Sequence, residues 1–221
     1  MVVQTPPTKP TRNGASSRIT FGPHADRFGV SLPRTMSDDE FFDFCQANEF
    51  VCIERTREGE IVMMVPSGGE SSNQNLRIAA RLDQWASATG HGVAFDSSAG
   101  FVLPNGAMRA PDAAWVTRER LATLTAEQKR KFLPLCPDFV IEVRPPTDRI
   151  AKLKEKMTEY LANGAKLGWL IEPDQRRVHV YSPDGRVEIF KNPQTISGEP
   201  VLPGFTLDLQ PIWEPIWEPG W

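Results

Sequence analysis

A carboxylate stands inside the most apolar strand-like run of the chain, Phe139-Val140-Ile141-Glu142-Val143. Short runs rich in Val, Ile and Phe suit a strand packed on both faces, where an unpaired carboxylate costs several kcal/mol or takes up a proton. Glu142 must therefore be hydrated, paired or bound to a cation. The residues after it bring the strand to a stop. Arg144-Pro145-Pro146 ends the run, because proline cannot donate to a sheet ladder. Asp148 then opens a helical pattern reaching Gly164, with Ile150, Leu153, Met157, Tyr160 and Leu161 on one face. Lys154 and Lys156 fall at opposite margins of that stripe, and Lys152 points further out. A lysine at such a margin either stays solvated or buries its stem and turns its ammonium toward a neighbouring cleft.

A second acid precedes a second apolar run, in Pro111-Asp112-Ala113-Ala114-Trp115-Val116. Taken alone, Asp112 serves as well to turn the chain after Pro111. Upstream, Ser37-Asp38-Asp39-Glu40 has capping-box spacing ahead of Phe41, Phe42, Phe44 and Cys45, which marks a short helix and the start of a folded domain. Phe50 to Glu54 and Glu60 to Val65 read as strands joined around Gly59. After the polar loop from Pro66 to Ser72, a helix is expected from near Asn73 or Asn75, stopping at Gly90. Short strands are expected at 93–95, 100–103 and 113–116, then a polar helix over 117–132 carrying Arg118, Arg120, Lys129, Arg130 and Lys131. Further strands are expected at 169–172, 178–181 and 187–190, the last two forming a hairpin around Ser182-Pro183-Asp184-Gly185.

With 221 residues and 40% hydrophobic content, the chain can build one substantial core. Residues 1–34 carry Lys9, Arg12, Arg18, Arg27 and Arg34 against the single acid Asp26, and read as a flexible basic arm. The domain is expected over residues 35–210. A Trp- and Pro-rich tail comes next at 211–221, where Ile212-Trp213-Glu214-Pro215 repeats as Ile216-Trp217-Glu218-Pro219 and suits either packing on this chain or on a second copy in a homodimer, or an unstructured extension. A net charge of -3 offers no global attraction to nucleic acid, so any such contact must be local. No segment has the roughly 20 apolar residues a membrane span needs, and the expected location is cytoplasmic.

Taken in order, Pro111-Asp112, the run from Pro137 to Arg144, Lys156-Met157-Thr158-Glu159-Tyr160 and the run from Asn163 to Ile171 resemble the Uma-two family, a branch of the PD-(D/E)XK nuclease superfamily. The likeness continues upstream through the run from Gly59 to Pro66 and through Leu103-Pro104-Asn105-Gly106. The resemblance implies an α/β fold with a restriction-endonuclease-like core, a central mixed sheet flanked by helices. It also implies a metal-dependent endonuclease acting on DNA. Asp112 and Glu142 would hold Mg²⁺ or Mn²⁺ at one edge of the sheet, Lys156 would complete the catalytic set, and Glu54 and Arg144 would support it. The chain departs from the superfamily in having Arg144 two residues after the glutamate, where a lysine is usual, and Pro145 where relatives commonly carry serine. Those two residues favour the competing reading, a nuclease fold that binds DNA or assembles without turnover. Between the two cations, Arg144 stays protonated and suits a phosphate clamp, whereas burial of Lys156 is expected to lower its pKa toward neutrality.

Overall fold

The computed structural model describes residues 29–30, 36–49, 51–64, 66–146 and 149–214. Most of the expected basic arm, Phe50, Val65, Asp148 and the second Ile-Trp pair of the tail lie outside the described residues. The elements in order are β1 (Gly29–Val30), α1 (Asp38–Ala47), β2 (Cys52–Arg55), β3 (Ile61–Met64), α2 (Gly69–Thr89), β4 (Gly92–Asp96), β5 (Phe101–Val102), β6 (Met108–Arg109), β7 (Ala113–Thr117) and α3 (Arg118–Ala122). They continue with β8 (Phe139–Val143), α4 (Ile150–Ala162), β9 (Leu167–Glu172), β10 (Arg177–Tyr181), β11 (Val187–Lys191), β12 (Thr195–Ser197), β13 (Thr206–Asp208) and α5 (Gln210–Trp213).

A six-stranded mixed sheet in the order β11-β10-β9-β8-β7-β4 forms the centre, and its parallel pair is β8 with β9, joined through α4. Side-chain alternation sorts β8 between two cores. Phe139, Ile141 and Val143 pack with Ile78, Leu82 and Ala86 of α2 and with Ile212 and Trp213 of α5. Val140 faces the other way, with Leu153, Met157 and Tyr160 of α4. Glu142 shares the face of Val140 and so lies under α4. The second sheet, β1-β3-β2-β6-β5, encloses its own core with Phe41 and Phe44 of α1. Among the described residues no helix is long and apolar enough to cross a membrane.

Local chemistry explains most boundaries. Ser37 caps α1 in a reciprocal capping box with Glu40, and Gly59, at φ 87°, makes the reversal between β2 and β3. Two expectations differ. The second helix begins at Gly69, earlier than expected, so that Asn75 lies within its second turn. The helix expected over 117–132 ends at Ala122, and a single 3-10 turn stands further on at Gln128–Arg130. There the Thr123 hydroxyl donates to the Arg120 carbonyl at 2.7 Å, and Thr125 exchanges two bonds with Gln128. Such local side-chain bonds compete with helical ones. Two basic residues of this segment pair with acids within the chain, Arg120 with Asp138 at 3.2 Å and Lys131 with Asp39 at 2.8 Å. Trp213 packs in the core and donates to the Pro193 carbonyl at 2.8 Å.

Asp138 anchors the entry to β8. Its fully buried carboxylate accepts from Thr117 N–H at 3.0 Å and meets Lys166 at 2.9 Å as well as Arg120. Burial alone would raise its pKa, but the Thr117 N–H and the two cations together hold it below the ordinary aspartate value. A depressed carboxylate pKa contributes stability that is present above the unfolded value, about 3.9, and is lost as pH falls through the folded value. Asp138→Asn should therefore lower stability by about 2 kcal/mol at pH 7. Urea unfolding at successive pH values should show the gap to wild type closing below about pH 4.

Candidate active site

Register places the two acids side by side. Ala113 of β7 pairs with Ile141 of β8, so Asp112, one residue earlier, falls level with Glu142. Both strands are interior, and the acids meet where β7 begins and β8 ends, not at a lateral edge. Asp112 is fixed from two sides. Its Oδ2 accepts from Val143 N–H at 2.7 Å and its Oδ1 from the Asn75 amide of α2 at 2.8 Å.

Glu142 is met from above by α4. The Lys156 ammonium lies 2.7 Å from Glu142 Oε1 and 2.8 Å from Glu54 Oε1, so it bridges the central sheet to β2 of the second sheet. Tyr160, one turn along the helix, donates its hydroxyl to Glu142 Oε1 at 3.1 Å. Glu54 also accepts from Ala110 N–H at 2.9 Å and pairs with Arg109 at 3.2 Å, and Arg109 in turn pairs with Glu159 of α4 at 2.6 Å. Asn105 donates to Glu159 at 2.9 Å and closes this network. Asp112, Glu142, Lys156 and Glu54 are thus gathered together. The Arg144 guanidinium is directed to Glu172 on β9, at 2.9 Å.

The charges do not balance evenly. Burial acts to raise the pKa of Glu54, but Lys156 and Arg109 outweigh it and bring the group below its ordinary value. Burial pushes Glu142 up to about 7, against the pull of Lys156 and with further repulsion from Asp112 and Glu54. Asp112 is raised by burial as well, although the Val143 N–H and Lys156 oppose the shift. Four carboxylates, Glu54, Asp112, Glu142 and Glu159, meet two cations, Arg109 and Lys156, and the two acids left short of positive charge, Asp112 and Glu142, are the ones whose pKa is raised. Lys156 reverses the expectation drawn from burial. Desolvation would lower its pKa, but Glu142 and Glu54 outweigh desolvation and hold the ammonium above its ordinary value. Its two carboxylate partners thus favour the charged form.

The donor set suits a hard divalent ion. Among the described residues no three of His, Cys, Asp and Glu are grouped so as to hold a metal unaided. Mg²⁺ needs only one or two carboxylates, because it keeps several waters and takes the rest from substrate phosphate. Both contacts to Glu142 use Oε1, leaving Oε2 for a cation. Asn75 Oδ1, beside Asp112, is buried without a hydrogen-bond partner, an open oxygen acceptor of the kind such an ion or its water would satisfy. Asn75, Arg109, Glu159 and Tyr160 were not legible as site residues in the sequence. Tyr160 and Glu159 had a faint signal, their spacing of four and three from Lys156. Asn75 had none, since its role depends on where α2 begins.

Residues 38–210 match the family Uma2, described as "Putative restriction endonuclease". No curated protein matches the chain. Among solved structures, a "putative nuclease belonging to DUF820" from Anabaena variabilis ATCC 29413 is similar, with a TM-score of 0.66 at 20% identity. The similarity covers 80% of this chain and 97% of that one, and shows a shared fold. With the match spanning most of its length, the chain belongs to the Uma2 family of restriction-endonuclease-like proteins.

Proposed function

We propose that the protein is a divalent-metal-dependent endonuclease that hydrolyses DNA phosphodiester bonds. The observation that carries this reading is the placement of Asp112 and Glu142 level with each other on β7 and β8, with the Lys156 ammonium 2.7 Å from Glu142. Asp112 and Glu142 are the residues that would hold the ion, Mg²⁺ or Mn²⁺. When bound, it supplies Lewis-acid stabilisation of phosphate charge and acidifies water.

The protein's own groups do the rest. Asn75 and the Val143 N–H orient Asp112, so that its remaining lone pairs face a defined direction. Tyr160 and Lys156 hold Oε1 of Glu142 and thereby aim Oε2. Glu54 keeps Lys156 charged and in place, so its ammonium offers a preorganised positive group for charge that develops on phosphate oxygens.

Asp112→Asn and Glu142→Gln change little volume and remove one anionic oxygen donor each. Both variants should fold, lose metal-dependent cleavage, and lose the rise in melting temperature that Mn²⁺ gives wild type. Undiminished Mn²⁺ affinity by calorimetry in both would rule out the ion site and favour the non-catalytic DNA-binding alternative. Lys156→Met should lower the cleavage rate by about two orders of magnitude or more with DNA affinity nearly intact. It should also destabilise the metal-free protein by about 3 kcal/mol, because it leaves Glu54 and Glu142 buried without their shared counter-ion. A full cleavage rate in a folded Lys156→Met protein would remove the lysine from the reaction.

A further inference from the structure

The sheet end that carries the acids bears a second charged feature, on the two strands farthest from β7 and β4. Glu142 of β8 pairs with Leu170 of β9, and Leu170 pairs in turn with His179 of β10. His179, and Arg177 two residues before it, therefore share the sheet face of Glu142. Arg177 pairs on one side with Glu172 and on the other with Lys191 of β11, the lateral edge of the sheet. Two cations thus stand directly opposite each other. Facing residues in an antiparallel pair have Cβ atoms about 5 Å apart, where like charges destabilise the pairing.

The neighbouring acid does not relieve that repulsion. Glu172 is 3% exposed, its Oε1 lies 2.7 Å from His179 Nε2, and its Oε2 lies 2.9 Å from Arg144 Nη1. Both oxygens are engaged, and no ion pair joins Glu172 to Arg177. Among the described residues neither the Arg177 nor the Lys191 side chain makes a hydrogen bond or ion pair. Glu188 of β11 pairs with Val180 and so belongs to the opposite face. Arg177 is partly buried and Lys191 is exposed, so the charge of this pair is open to solvent at the edge.

Strand spacing relates the pair to the acids. Arg177 stands two strands and two residues from Glu142, roughly 12 Å from backbone to backbone, and Lys191 one strand further, roughly 16 Å. A nucleic-acid strand with its scissile phosphate at the acids passes both cations when it runs across the strand ends from β8 toward β11. We propose that Arg177 and Lys191 form a subsite for backbone phosphates that flank the cleaved one. A phosphate between them turns mutual repulsion into shared attraction, with a planar fork on one side and a mobile ammonium on the other. The proposal rests on the nuclease reading and adds to it the direction in which the substrate strand leaves the acids. On the competing account Lys191 is a solvated charge that blunts the edge strand, and Arg177 only its neighbour.

Removing the charges separates the two accounts. Binding of the full chain to duplex DNA is measured by fluorescence anisotropy across a salt series in EDTA, and turnover is measured separately with Mg²⁺. Arg177→Gln and Lys191→Gln should each weaken binding about tenfold and make the slope of log affinity against log salt shallower by about 0.9, one phosphate contact, and the double variant by about 1.8. KM should rise with kcat within a few-fold of wild type. Neither single variant should lower the melting temperature of the free protein, because each relieves the like-charge pairing. Lys191→Arg keeps the charge and should keep the wild-type slope; it carries the test with the single variants if the double variant does not fold. Lys129→Gln removes the same unit charge from the 3-10 turn between the end of β7 and the start of β8, and should leave the slope unchanged. An unchanged slope in both single variants, or an equal change in Lys129→Gln, would overturn the subsite while leaving metal-dependent cleavage by wild type untouched. Wild type that neither binds nor cleaves DNA would instead overturn the nuclease reading itself, and the subsite with it.

Discussion

The ammonium of Lys156, held between Glu54 and Glu142, ties together the parts on which the site depends. Glu54 comes from β2 of one sheet, Glu142 from β8 of the other, and Lys156 from the helix packed over both. Apolar packing alone would leave the two sheets free to shift slightly, because hydrophobic contact is non-directional. A buried cation with two short contacts is directional, and a buried carboxylate without its partner costs several kcal/mol. The neighbouring pairs of Arg109 with Glu54 and Glu159 repeat the device, joining β6, β2 and α4. The geometry around Glu142 is thus set by charge pairing over a scaffold set by packing.

That pairing leaves an imbalance confined to particular groups. Glu54 has two cations and a backbone N–H, and its pKa is lowered. Glu142 shares one cation with Glu54 and faces Asp112, and its pKa is raised to about 7. Asp112 has an amide, a backbone N–H and more distant Lys156, and it is raised as well. A purely structural network gains nothing from holding two carboxylates in this state, because isosteric neutral residues would avoid the cost. On the proposed reading the cost is offset when a divalent ion binds, which explains why the shortage of positive charge falls on the two acids at the strand ends and spares the acid behind Lys156.

Much of this is legible in the sequence, for reasons that differ from residue to residue. Glu142 announces itself because a carboxylate in an apolar strand conflicts with its surroundings, and the helix over it is legible from the spacing of Leu153, Met157 and Tyr160. The central mixed sheet is legible through the family resemblance, which the ordered motifs carry. The protonation of Lys156 is not legible, because burial and charge pairing push an ammonium in opposite directions and only distances decide between them. The segment 117–132 misleads because its polar composition suits a helix, while Thr123 and Thr125 spend their hydroxyls on local bonds. Asn75, Glu172 and His179 take their places from strand register and helix start, which composition does not encode.

The exchange of cations between strand and helix has a structural logic. A side chain at position 144 leaves β8 level with Glu172 on the neighbouring strand, and a residue there is drawn sideways along the sheet. A lysine at position 156 descends from α4 onto Glu142 itself. On the proposed reading the helix supplies the cation at the acid pair, and the strand arginine is relieved of that task by its pairing with Glu172. The same change explains why the departure from the usual Glu-x-Lys spacing leaves the acid pair intact. The cation that contacts Glu142 approaches from a different element, while Asp112 and Glu142 keep the register that β7 and β8 impose.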